Sequence, residues 1–89
     1  MGVFSRVKLN RGLNYAVSFN PRRVFLMIVN DSEVTIYVSE DPSDITSRGI
    51  PVYPFEILVF DRGDGDRTES AFYIYAENDT YVRIYEGVV

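Results

Sequence analysis

Six consecutive residues, Asp61-Arg62-Gly63-Asp64-Gly65-Asp66, carry the densest chemistry in the chain. Carboxylates interspersed with glycines suggest a calcium loop. Arg62-Gly63-Asp64 is also the tripeptide that many cell-adhesion ligands present on a loop. A calcium loop of the helix–loop–helix type needs acids at alternate positions and a glutamate at the twelfth. Counted from Asp61 the twelfth residue is Phe72, and from Asp64 it is Tyr75. The calcium pattern therefore fails, and the stretch is expected to be a solvated turn whose glycines supply positive φ. Used as a receptor-facing tip, it defines one binding hypothesis, a surface-binding β module.

Catalysis needs a nucleophile beside a positioned base, or paired carboxylates in a cleft. The chain has no histidine and no cysteine. That removes the commonest general base and metal ligand, together with thiolate metal sites and disulfides. Lys8 is the one side-chain nitrogen base that loses a proton readily, and the acid pair Glu40-Asp41 falls in a turn. No glycine-rich phosphate loop stands between a strand and a helix. The expectation is a protein that is not an enzyme and uses no cofactor.

Tyrosine and arginine are enriched at protein interfaces, because they bury area while keeping a polar end. Tyr73, Tyr75, Tyr81, Arg83 and Tyr85 stand at alternate positions of two apolar runs. If those runs form a hairpin closed by Glu77-Asn78-Asp79, Ile74 faces Val82 and Phe72 faces Ile84. The tyrosines and Arg83 then share the opposite face, which is a candidate interface. In that hairpin Asp79 takes the left-handed position.

The elements that must position these residues are strands. Val, Ile, Tyr and Phe are abundant, and no segment keeps helical spacing. Turn residues recur at short intervals, from Asn10-Arg11-Gly12 to Asn78-Asp79. The pattern predicts a small antiparallel β-sandwich or barrel of about seven short strands. They are placed at Val3–Leu9, Asn14–Phe19, Arg23–Val29, Val34–Ser39, Glu56–Asp61, Ala71–Ala76 and Tyr81–Tyr85. Arg23–Val29 is apolar after its first residue, so it is expected to be central and covered on both faces. It is expected to form a hairpin with Val34–Ser39, with Phe25, Met27 and Val29 beside Val34, Ile36 and Val38.

The chain has 89 residues, enough for a single β domain over residues 1–89. Domains of this size bury a modest share of their surface and often gain stability from disulfides, metals or partner subunits. Only the last is open here, so a homo-oligomer is expected. Residues 1–30 carry Arg6, Lys8, Arg11, Arg22 and Arg23 and no acid, a charge of +5. The remainder sets four arginines against thirteen acids, a charge of −9. Either the strands interleave and the charges average out, or a basic segment meets an acidic neighbouring copy. On the second view residues 1–12 are an assembly arm, and Arg6, Lys8 and Arg11 are contact residues. A pI near 4.6 opposes phosphate binding, which leaves a single-stranded nucleic-acid-binding barrel as the weakest alternative. The longest apolar run, Val24 to Val29, is too short to span a bilayer, and no membrane partner is expected.

A longer pattern runs through Asn20-Pro21-Arg22-Arg23, Phe25-Leu26-Met27-Ile28-Val29-Asn30, Ile36-Tyr37-Val38-Ser39, Gly49-Ile50-Pro51-Val52-Tyr53-Pro54, Ile74-Tyr75-Ala76 and Val82-Arg83-Ile84-Tyr85-Glu86-Gly87. It resembles the small all-β virion structural proteins of tailed phages and related viruses. The resemblance covers about two-thirds of the chain and leaves residues 1–19 outside it. Phe55 stands where that group usually has glycine after the turn proline, and the Asp61–Asp66 loop is a second departure. The resemblance implies a capsid decoration or cement protein, or another capsid-associated assembly component. It would be assembled in the host cytoplasm, located in the virion, and partnered by itself and by a major capsid or other virion protein.

Overall fold

A computed structural model describes residues 1–89. Eight strands form two four-stranded antiparallel sheets. They are β1 (Gly2–Leu9), β2 (Gly12–Val17), β3 (Arg23–Val29), β4 (Ile36–Ser39), β5 (Ile50–Val52), β6 (Ile57–Asp61), β7 (Phe72–Ala76) and β8 (Thr80–Val88). The first sheet has the order β1-β8-β3-β6 and the second the order β2-β7-β4-β5. Of the seven connections between successive strands, only β4 to β5 stays within a sheet. Two sheets of this order, wound back and forth across one core, make an eight-stranded jelly roll. The protein is thus an all-β sandwich rather than a barrel. One four-residue helix, α1 (Ile45–Arg48), sits inside the β4–β5 connection and seats Ile45 in the interior.

Alternation builds the core. Leu26 and Ile28 of β3, and Val82 and Ile84 of β8, point inward from the first sheet. Ile36, Val38, Ile74, Ala76 and Val52 meet them from the second. Each such side chain withdrawn from water contributes about 1.5–3 kcal/mol. Phe60 of β6 stacks on Phe72 of β7 across the gap, with ring centroids 4.8 Å apart.

Two polar residues of the apolar pattern lie inside the sandwich. A register shift between Arg23 and Phe25 marks a bulge, which re-aims the strand's first side chain inward. Arg23 is 1% exposed. Its Nε donates to Glu86 Oε1 at 2.7 Å, Nη1 donates to the Thr68 and Ser70 carbonyls, and Nη2 donates to that of Ser18. The Thr68 hydroxyl in turn donates to the Arg23 carbonyl at 2.7 Å. Asn30, fully buried, donates through Nδ2 to the carbonyls of Val34, Val52 and Tyr53. Removing Glu86 would leave the Arg23 charge buried without its partner, a loss that typically costs about 3–5 kcal/mol for a fully buried pair.

Several sequence expectations are corrected. β3 and β4 are not a hairpin, because β3 pairs with β6 and β8 while β4 pairs with β5 and β7. Asn30 holds the chain where it crosses from one sheet to the other. β3 is central but covered on one face only, since Phe25, Met27 and Val29 are half-buried on the outside. β7 and β8 are not a hairpin either. They lie in opposite sheets, where Ile74 and Phe72 belong to the same core as Val82 and Ile84 without pairing with them. Asp79 has no positive φ. Val3–Leu9 is no free arm but belongs to β1, paired along its whole length with β8 and ending in the fully buried Leu9. β5 was hidden by its turn-like residues Gly49, Pro51 and Pro54.

Candidate interaction surface

The candidate interface residues fall on two separate surfaces. In an antiparallel pair, residues directly opposite each other share a face. The outer face of the first sheet therefore carries Phe4, Tyr85, Met27 and Val59 as one row across all four strands. Arg6, Arg83, Val29 and Ile57 form the next row, and Lys8 with Tyr81 extend it. Tyr73 and Tyr75 lie instead on the outer face of the second sheet, opposite Tyr15 and Leu13 on one side and Ser39 and Tyr37 on the other. The five-residue face expected from the sequence is thus split in two, because its two runs belong to different sheets.

On the first sheet, the Tyr85 ring lies between Phe4 and Phe25, with centroids 5.2 and 5.9 Å away. Gly2 makes room for it, since a methyl there would overlap the Tyr85 hydroxyl. Phe4 is 61% exposed, Ile57 58% and Val59 45%. The charged side of this face is built by β1 and β8. The Arg6 guanidinium stacks on Tyr81 at 4.1 Å from the ring centroid, and Arg83 Nε donates to Asp31 at 2.8 Å. Arg6 and Lys8 have no carboxylate within ion-pair distance. Arg11 lies outside the sheets, its backbone N–H donating to Asp79 at 2.8 Å.

The second sheet's outer face is a tyrosine ladder. Tyr15 meets Tyr73 edge-on at 5.3 Å, and Tyr37 meets Tyr75 at 6.3 Å. The Tyr37 hydroxyl pKa is raised, first by partial burial and then by the Glu77 carboxylate and the nearby Tyr53 and Tyr75. In the β4–β5 connection, Asp41 is held below the usual carboxylate range by hydrogen bonds from Ser43.

The Asp61–Asp66 loop is a turn. Arg62–Asp64 make one 3-10 turn, and Gly65 closes it with φ +87°. Asp61 Oδ1 accepts from the Gly63 N–H, and Asp66 Oδ2 accepts from the Asp61 N–H, each at 2.9 Å. The Arg62 guanidinium folds back to the Pro21 and Arg23 carbonyls, while Asp64 is exposed. Both residues are exposed, but the Arg62 guanidinium is tethered to its own domain by two long contacts while Asp64 makes none. No cluster of three or more potential metal-ligating side chains exists.

Sequence reasoning missed Phe4, Met27, Ile57, Val59 and Phe55. The first four were invisible until the pairing of β1, β8, β3 and β6 was known. Phe55 did carry a signal, because the group this sequence resembles usually has glycine there. It keeps the glycine conformation, φ +65°, and is 68% exposed.

Fold and surface together define a jelly-roll domain with two uncovered outer faces, a tyrosine ladder on one sheet and an apolar–aromatic surface bordered by cations on the other. Comparison with protein-family models, with curated proteins and with solved structures finds no match to this chain.

Proposed function

We propose that this chain is a non-catalytic assembly protein of a virus particle, a capsid decoration or cement component that docks through the outer face of its first sheet. The observation that carries this reading is the outward row of exposed Phe4 and Val59 and half-buried Tyr85 and Met27, with Ile57 and Val29 beside it and Arg6, Lys8 and Arg83 along one border. Soluble monomers rarely leave such a contiguous apolar patch uncovered unless it has a partner. Aromatic, methionine and arginine residues are the types enriched at interfaces. The viral reading rests on the sequence resemblance, and the jelly roll adds support by analogy, since viral capsid domains use this architecture. The surface-binding alternative, through Arg62, Gly63 and Asp64, has less support because Arg62 is turned back onto its own domain.

The experiment is co-sedimentation with purified particles, together with mass spectrometry of those particles. Binding is expected for the native chain. Val59→Asp should weaken it by about 1–2 kcal/mol, as for an apolar residue buried in an interface, with the melting temperature little changed. Particles that neither contain nor capture the protein would sink the proposal.

A further inference from the structure

The four sheet edges differ in how they are protected against pairing. β5 has three residues and contains Pro51. β2 is interrupted by a bulge between Tyr15 and Val17. β6 has five residues, and its outward Asp61 N–H is capped by the Asp66 carboxylate. β1 has eight residues, no proline and an unbroken register along β8. Natural sheets blunt their edges with short strands, prolines, bulges or charges, because a bare edge is a template for another strand. Of these devices β1 has only the charges, Arg6 and Lys8.

The free groups of that edge can be assigned. Met1 and Val88 exchange both backbone hydrogen bonds, each 2.9 Å long. In an antiparallel ladder such exchanges recur at every second pair. Val3, Ser5, Val7 and Leu9 therefore bond to β8, and the N–H and C=O groups of Gly2, Phe4, Arg6 and Lys8 point away from the sheet.

We infer that β1 pairs antiparallel with β1 of a second copy about a two-fold axis through Ser5, joining the two first sheets into one continuous sheet. This deepens the assembly reading by naming the self-contact, and it rests on that reading only for its biological setting. A two-fold perpendicular to the sheet keeps each residue on its own face, so only pairings of like parity are allowed. Centred on Ser5, the pairing sets Val3 opposite Val7 on the inner face and Ser5 opposite Ser5. On the outer face Phe4 stands opposite Arg6, and Gly2 opposite Lys8. The outward groups then form about eight backbone hydrogen bonds. Each Arg6 guanidinium, already on Tyr81, gains the Phe4 ring of the second copy as a further cation–π partner. Centring on Arg6 would set two guanidiniums face to face, and like charges directly opposite are destabilising. The charges that would otherwise protect this edge thus exclude the Arg6-centred register, while a Phe4-centred one would leave the outward groups of Lys8 unpaired.

Three variants test this by sedimentation velocity and oxidative crosslinking of the full chain. The native protein is expected to dimerise as its concentration rises. Arg6→Pro removes an N–H that faces the free edge and leaves the β8 ladder intact, so it should weaken the dimer at least about tenfold while circular dichroism stays native. Ser5→Cys introduces the only thiol at a two-fold pair whose Cα atoms stand about 4.5 Å apart, within disulfide reach. It should crosslink readily. Arg6→Cys, displaced from its own copy by two residues, should not. The cysteine pair decides the matter even if the proline variant fails to fold. A native chain that stays monomeric at every concentration overturns the inference, as does equal crosslinking of both cysteine variants. Neither result bears on particle binding, which the Val59→Asp experiment reads separately.

Discussion

Arg23 and Phe55 each break a rule of residue placement, and the two exceptions have opposite meanings. Arg23 is a buried cation, but every neighbour compensates it: Glu86, three carbonyls and the Thr68 hydroxyl form a closed network, and no buried side-chain polar atom in the domain lacks a partner. It is a structural plug at one end of the core. Phe55 has no compensation in view. A non-glycine residue in the left-handed region costs about 1–2 kcal/mol, and the ring that incurs this cost is mostly in water. Strain that nothing in the fold requires is a pointer to use elsewhere. Phe55→Gly should therefore stabilise the isolated domain by about 0.5–1 kcal/mol in urea denaturation, the strain relief being partly offset by glycine's greater unfolded-state freedom. The same variant should bind particles less well. A loss of stability instead would show that the ring packs usefully within its own domain.

At the scale of elements, strands were readable and their partners were not. Alternation correctly put Phe25, Met27 and Val29 on one face of β3, and Ile74 and Phe72 on the core face of β7. It could not say which face of β3 was the core, because Arg23–Val29 is apolar on both, nor that the Asn30–Thr35 and Glu77–Asp79 connections cross between sheets rather than turn within one. Short loops argue for hairpins by default, and a jelly roll violates that default at almost every connection. The split of the tyrosine face follows from this one error, since β7 and β8 had been assigned to a single ribbon. The Asp61–Asp66 turn was legible, because glycines and aspartates in that order serve turns whatever the topology. Its internal bonds now divide its residues. Asp64 makes none in the loop, so Asp64→Asn should change stability by less than about 0.5 kcal/mol. Asp66 caps the Asp61 N–H, so Asp66→Ala should cost about 0.5–1.5 kcal/mol. Calcium should leave the melting temperature of the native chain unmoved, and a shift lost in Asp64→Asn would reinstate the metal site.

The whole molecule is thin. Its shortest dimension is 19 Å, which two sheets packed about 10 Å apart and their outer side chains already fill. Only 17 of 89 residues are buried, and large apolar side chains are as often exposed as buried, so both outer faces lack a covering layer. Folding sets the basic strands of residues 1–30 beside strands of the acidic remainder in both sheets. β1 lies beside β8, Arg23 pairs with Glu86, and Arg22 Nε turns to the Val89 carbonyl. What the surface offers a partner is apolar area and a bare strand edge, with cations excluding one register. Salt should then act differently than on a basic arm reaching for an acidic neighbour. Between 0.1 M and 1 M salt the screening length falls from about 10 Å to about 3 Å, which would dissolve an arm contact. Apolar burial is untouched by screening, and excluded salts such as sulfate strengthen it. Light scattering should therefore find the oligomer intact at 1 M sodium chloride and no weaker in sulfate. Deleting residues 1–12 should unfold the domain, because it removes β1 and Leu9 from the core, and circular dichroism would show the loss. A truncated chain that stays folded but no longer assembles, together with an oligomer that dissociates at 1 M salt, would return the interface to electrostatics and to Arg6, Lys8 and Arg11.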